Sequence, residues 1–153
     1  MRAALTAPCS ATHVTGIRAY GAADVPSLGS LMYRAYLGTV DYDGETPEQS
    51  ADEIARTVEG AYGEFMPDCS RVMVRDSALR SAALLTRFEN RPFMAFTFTD
   101  PACRKQGFAR ACMQAAMAAL FHRGERELRL VVTRTNTPAV CLYSSLGFEF
   151  ERG

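Results

Sequence analysis

Thr97-Phe98-Thr99-Asp100-Pro101-Ala102-Cys103-Arg104-Lys105-Gln106-Gly107-Phe108-Ala109-Arg110 is the stretch that decides how this chain is read. Strand residues run into a basic, glycine-containing turn, and the turn opens an alanine-rich helical pattern over residues 108–122. The first backbone N–H groups of a helix have no partner inside it, so such a turn is a ready anion site. Gly107 has no Cβ to hold a phosphate off, and Ala109 keeps the next contact small. Arg104, Lys105 and Arg110 add positive charge around the turn. Taken alone, the turn is equally an ordinary strand-to-helix connection with solvated basic residues. It is not a Walker loop, because no Gly-Lys-Ser/Thr follows. Nor is it a full dinucleotide fingerprint, because the strands before it form a meander rather than a βαβ unit.

Outward from this stretch the elements fall into order. Upstream, residues 71–75, 81–88 and 93–99 alternate as three strands, with turns at Asp76-Ser77 and Glu89-Asn90-Arg91. Before them lie two amphipathic helices. One follows Asp24 and Pro26 with Val25, Leu28, Leu31, Met32 and Ala35 on its apolar face. The other opens on Thr46-Pro47-Glu48-Gln49, a capping box with proline at the first helical position. Residues 17–20 make a short strand, and residues 1–15 read as a loose tail. Downstream, Gly124 ends the alanine-rich helix and residues 128–132 form a strand. A short helix then runs from Pro138 to Gly147, and residues 148–150 begin a last strand. The order βααβββαβαβ predicts an α/β fold of mixed α+β kind, with a six-stranded mixed sheet and about four helices.

The bulk numbers bound the rest. At 153 residues, 48% hydrophobic and 22% charged, the chain is expected to be a single domain with an ordinary core. Lys plus Arg equals Asp plus Glu at 17 each, which argues against a nucleic-acid partner. No apolar run reaches the length of a membrane span, so no membrane partner is expected. Five unpaired-looking cysteines and two histidines distant in sequence, His13 and His122, argue against disulfides and a metal. With no secretory pattern at the start, the expected location is cytoplasmic.

A second stretch gives the first its meaning: Asn136-Thr137-Pro138-Ala139-Val140-Cys141-Leu142-Tyr143-Ser144-Ser145-Leu146-Gly147-Phe148. Together the two resemble the GNAT superfamily of acyl-CoA-dependent N-acyltransferases. Pro101, Arg104, Gly107 and Ala109 match the family's Pro-x-x-Arg/Gln-x-x-Gly-x-Gly/Ala run. Asn136, Ala139, Leu142, Tyr143, Gly147 and Phe148 match its Asn-x-x-Ala-x-x-Leu-Tyr-x-x-x-Gly-Phe run. The resemblance implies that the fourth and fifth strands splay apart around the pantetheine of acetyl-CoA. Thr97, Phe98 and Thr99 would offer backbone groups to the pantetheine amides. Arg104, Lys105, Gln106, Gly107, Phe108, Ala109 and Arg110 would form the pyrophosphate turn, and Asn136 would contact the cofactor. Tyr143 would protonate the departing thiolate. As structural alternatives, Tyr143 is a packing phenol and Asn136 a helix cap.

The implied activity is transfer of an acetyl group to a primary amine of a small molecule or peptide, by direct attack. A phenol, with a reference pKa near 10, is a sound acid for a thiolate at neutral pH. The base is open: residues 93–99 carry no carboxylate, and Val131 stands where the ribosomal-protein alanine acetyltransferases carry Glu. Water or a loop acid would then move the proton. Asp41, Asp43 and Glu45 lie in a loop that the resemblance sets beside the acceptor, where they would suit a cationic amine; a solvated turn is the alternative. Phe96 is a candidate wall of the acceptor slot. Cys103 and Cys112 lack a base partner for an acyl-enzyme. The family's usual seventh strand is missing after Gly153 or supplied by another segment, and a homodimer is one way to cover the edge left open. A non-catalytic acyl-CoA-binding sensor or interaction module is the competing function.

Overall fold

Residues 81–86, Ser-Ala-Ala-Leu-Leu-Thr, are wholly buried and set the layering. Ala82 and Leu84 face one apolar cluster while Ala83 and Leu85 face another, so helices cover both faces of the sheet here. The computed structural model describes residues 1–8 and 14–152. Its elements are β1 (Arg2–Ala4), β2 (Ile17–Ala19), α1 (Val25–Tyr36), α2 (Pro47–Val58), β3 (Glu64–Phe65) and β4 (Arg71–Arg75). They continue as β5 (Ala78–Phe88), β6 (Arg91–Thr99), α3 (Phe108–His122), β7 (Glu127–Leu130) and α4 (Thr137–Ser145). The seven-stranded mixed sheet runs β1-β7-β6-β5-β4-β2, with β3 also on β5. The cluster with Ala83 and Leu85 packs α3 and Tyr143 of α4 against them and against Met73 and Met94. The cluster with Ala82 and Leu84 packs α1 and Ile54 of α2 against them and against Val72 and Phe98.

Local chemistry accounts for the element ends. Thr46 and Gln49 close the expected capping box on α2, at 3.1 and 2.8 Å. Both hairpin turns, Asp76-Ser77 and Glu89-Asn90, hold two residues at positive φ, the twist a two-residue hairpin favours. Asp24 differs from its expected role as a helix cap. Its carboxylate takes the Gly21 N–H and pairs twice with Arg18, at 2.8 and 2.7 Å.

Two expectations need correction. Residues 1–5 are not a loose tail. Met1, Ala3 and Leu5 alternate into the core, and β1 pairs antiparallel with β7, Arg2 opposite Arg129. Residues 148–150 do not form a named strand; Glu149 alone bridges Arg2, through two 2.9 Å backbone bonds. The outer strand beyond β7 is therefore supplied by the chain's first residues. With β3, this makes seven strands rather than six. The side of β7 left open in the sequence reading is filled within the chain itself. Cys9 and His13 lie outside the described residues. Among the described residues no cluster of His, Cys, Asp or Glu could hold a metal, and no helix is long and apolar enough to cross a membrane.

Candidate active site

The expected fourth and fifth strands are β6 and β7, and they part company early. β6 stays registered with β5 as far as Ser81 opposite Thr99, but meets β7 only at Phe93–Arg129 and Met94–Leu130. A bulge explains the split. Leu84 pairs with Phe96 and Leu85 with Met94, so Ala95 is the extra residue and the strand bends there. Beyond it the backbone of residues 95–99 has no strand partner on the β7 side. A cleft of about 960 Å³ opens between the two strands, roofed by α1, the loop after it, α2 and α4. The Thr97 hydroxyl is buried in this wall and has no partner among the described residues. Val131, at the other lip, is 82% exposed.

Past Thr99, Asp100 caps a short 3-10 turn (Pro101–Cys103) by accepting the Ala102 N–H at 2.9 Å. That bond, together with Arg34 and Arg80, holds its carboxyl below the usual carboxylate range. The glycine turn follows. Lys105 sits at φ 64° and Gly107 at φ 79°, and no atom of the described residues lies within 4 Å of where a Cβ on Gly107 would stand. The first helical bond of α3 runs from the Ala111 N–H to the Gly107 carbonyl at 3.0 Å. The N–H groups of Phe108, Ala109 and Arg110 are thus the free start of the helix. Two of the turn's three cations have protein partners. Arg104 donates to the Ala35 carbonyl near the end of α1 at 2.8 Å, and Arg110 donates to the Ser145 hydroxyl of α4 at 2.5 Å. Lys105 and Gln106 are exposed.

Tyr143 lies on α4 in the cleft wall, 9% exposed, and its hydroxyl makes no hydrogen bond among the described residues. Burial first, and the Asp41 charge second, push its pKa up to about 12. Asn136 caps α4, its oxygen accepting the Ala139 N–H at 3.2 Å. Its amide nitrogen donates to Asp41 at 2.8 Å, and the Thr133 hydroxyl donates to the other Asp41 oxygen at 2.7 Å. One loop carboxylate thereby spans from the α1–α2 loop to the β7–α4 connection. Nearby, burial pushes the Tyr36 phenol up as well, with Tyr143, Asp41 and Glu45 adding to it.

The structure gathers Asp41, Asp43, Glu45, Phe96, Thr97, Asn136 and Tyr143 around one cleft, while residues 104–110 lie outside its lining. The aromatic strand divides. Phe96 lines the cleft with its ring 5.9 Å from Tyr62, Phe98 is buried against Tyr36, and Phe93 packs on Phe88. The Phe98 and Thr99 side chains are thus turned to structure, Thr99 sharing a 2.9 Å bond with Ser81. The sequence reading missed Tyr33 and Tyr36 on α1, Asp52, Glu53 and Arg56 on α2, and Thr133. Tyr33, Tyr36, Asp52, Glu53 and Arg56 show only as ordinary residues of amphipathic helices, and Thr133 carries no signal at all. Glu53 is tied to the Tyr62 hydroxyl and to Arg56.

A family model described as "Acetyltransferase (GNAT) family" matches residues 41–148. The fold matches a ribosomal-protein-alanine N-acetyltransferase from Brucella melitensis with a TM-score of 0.66 at 20% identity, over 87% of this chain and 83% of that one. It matches the PaiA N-acetyltransferase of Thermoplasma acidophilum, solved with coenzyme A, with a TM-score of 0.68 at 20% identity, over 88% and 89%. A putative acetyltransferase of the same family from Novosphingobium aromaticivorans matches at 0.68 and 25% identity, over 99% of this chain and 59% of that one. Comparison with curated protein sequences gives no match.

Proposed function

The chain belongs to the GNAT acetyltransferase family, and from that premise we propose that it transfers the acetyl group of acetyl-CoA to a primary amine of a small molecule or peptide by direct attack. One observation carries the reading: the Tyr143 phenol, with no hydrogen bond among the described residues, lines the cleft where β6 and β7 separate. The residues suit the cofactor. An orphaned hydroxyl at Thr97 and an unpaired strand edge over residues 95–99 offer polar groups to the pantetheine amides. Empty space beside Gly107, at the free start of α3, suits a pyrophosphate on the N–H groups from Lys105 to Arg110. Arg104 serves by tying this turn to α1 rather than by meeting the phosphates itself.

Bound there, acetyl-CoA supplies an activated thioester. The protein's part is to hold the carbonyl at the fork of the strands, keep water out, and lend the Tyr143 proton to the sulfur. The acceptor end is acidic. Asp41, Asp43, Glu45, Asp52 and Glu53 line the cleft against a single Arg56, which favours a cationic amine. Phe96 lends an apolar wall beside them.

The cleft walls on β6 and β7 carry no carboxylate, which is the one observation favouring a non-catalytic acyl-CoA-binding module instead. Thioester consumption against a panel of primary amines separates the two: turnover of any amine excludes the binding module, and CoA binding without turnover excludes the transferase. Within the panel, changing Asp41 and Asp43 to Asn and Glu45 to Gln should raise KM for a diamine more than for an amine with a neutral body. Added salt should mimic this, since exposed charges are screened over about 8–10 Å at physiological ionic strength. Equal behaviour toward both acceptors would leave the loop a solvated turn.

A further inference from the structure

We propose that Asp41 alone among the cleft acids acts at the reaction centre: it pairs with the acceptor's ammonium group and receives the first proton that group sheds. The proposal rests on the acyl-transfer reading. Asp41 is distinguished by where it is held. Thr133 donates to one carboxylate oxygen at 2.7 Å and Asn136 to the other at 2.8 Å. Both donors stand on the connection between β7 and α4, so the carboxylate is pinned to the element that carries Tyr143. Each oxygen accepts one bond in this arrangement, and a carboxylate has about four lone-pair sites, so capacity remains for an ammonium donor. Glu45 instead accepts its own loop's Asp43 N–H at 3.1 Å, and Glu53 is tied to Tyr62 and Arg56. The Asp41 charge also reaches the Tyr143 hydroxyl, as the pKa of that phenol reflects.

The cleft changes character away from Asp41. Beside the acids lie Phe96, Met94 and Leu130 at the fork of the strands. An ammonium that pairs with the pinned carboxylate against that apolar end loses hydration, and desolvation favours the neutral pair over the charged one. One proton then passes from nitrogen to the Asp41 carboxylate, and the freed lone pair attacks the acetyl carbon. The N–C bond forms and the C–S bond breaks. Tyr143 gives its proton to the sulfur, and the second nitrogen proton replaces it. Asp41 returns its proton to water. The sum is an alkylammonium and a thioester giving an amide, a thiol and one proton.

The test compares two acceptors in the same variants: a primary alkylamine, protonated at neutral pH, and methoxyamine, which is neutral there and needs neither pairing nor deprotonation. In Asp41→Asn, kcat/KM for the alkylamine should fall about a hundredfold, the lower end of what a proton-transfer group contributes, while methoxyamine changes less than about threefold by the same reasoning. Asp41→Glu should restore part of the alkylamine activity. Thr133→Val keeps the carboxylate and the Asn136 bond, so it should give a smaller loss, again confined to the alkylamine; it carries the test if Asp41→Asn fails to fold. Equal losses for both amines, or none, would overturn the role and leave Asp41 a structural clasp. A wild-type protein that binds acetyl-CoA yet acetylates neither amine would instead overturn the transferase reading, and the Asp41 role with it.

Discussion

Tyr143 shows how a single burial decides both chemistry and stability. A phenol raised to about 12 stays protonated through the neutral range, so in the transfer proposed above Tyr143 would be loaded when the thiolate departs. Tyr143→Phe removes the proton and little else. Its kcat should fall tenfold to ten-thousandfold by roughly the span open to general acids, with KM for acetyl-CoA little changed. Wild-type turnover, with chemistry shown to limit the rate, would end the acid role. The same shift has a stability consequence. The folded pKa lies above the reference value near 10, so the contribution is complete below that value and is lost as pH rises toward 12. Tyr36 is raised too and adds to the same loss. Thermal melts should therefore show the wild type losing Tm between pH 10 and 12, and Tyr143→Phe losing less. At this scale the phenol was legible, because it sits at a fixed spacing from Asn136 on one helix. The Asp41–Asn136 bond was not, because its partners are 95 positions apart and only the fold brings them together.

Elements announce themselves when their chemistry is local. The capping box at Thr46 reads directly from sequence, and Thr46→Ala should cost about 1 kcal/mol in a denaturant titration. The α3 start reads almost as plainly. Gly107→Glu would force a side chain into a left-handed backbone position, costing about 1–2 kcal/mol, and would set a negative charge where we propose that the pyrophosphate binds. Calorimetry should show CoA affinity collapsing while circular dichroism stays native; retained affinity in the folded variant would move the cradle elsewhere. The bulge at Ala95 left no trace in the sequence. Residues 93–99 look like an unbroken strand, and the extra residue exists only in the pairing with β5. Yet that bulge, more than any residue type, is what lets β6 leave β7 and opens the cleft.

For the whole molecule, the first residues carry weight that their composition concealed. Three alternating apolar residues are too short a pattern to separate a strand from a tail, and only the vacant side of β7 gives them a place. Ala3→Asp would bury a carboxylate with no partner, at a cost of about 3 kcal/mol, and should lower Tm without altering the acceptor preference. A normal Tm would mean β1 contributes nothing to the folded state. The strand also imposes a schedule. Met1 and Leu130, which exchange hydrogen bonds, are 129 positions apart, so this segment docks only after a partner far downstream has been made. Closing so long a loop is slow relative to local contacts. Until Leu130 has been made, Met1, Ala3 and Leu5 wait uncovered, an apolar strand exposed during synthesis and a natural handle for chaperones.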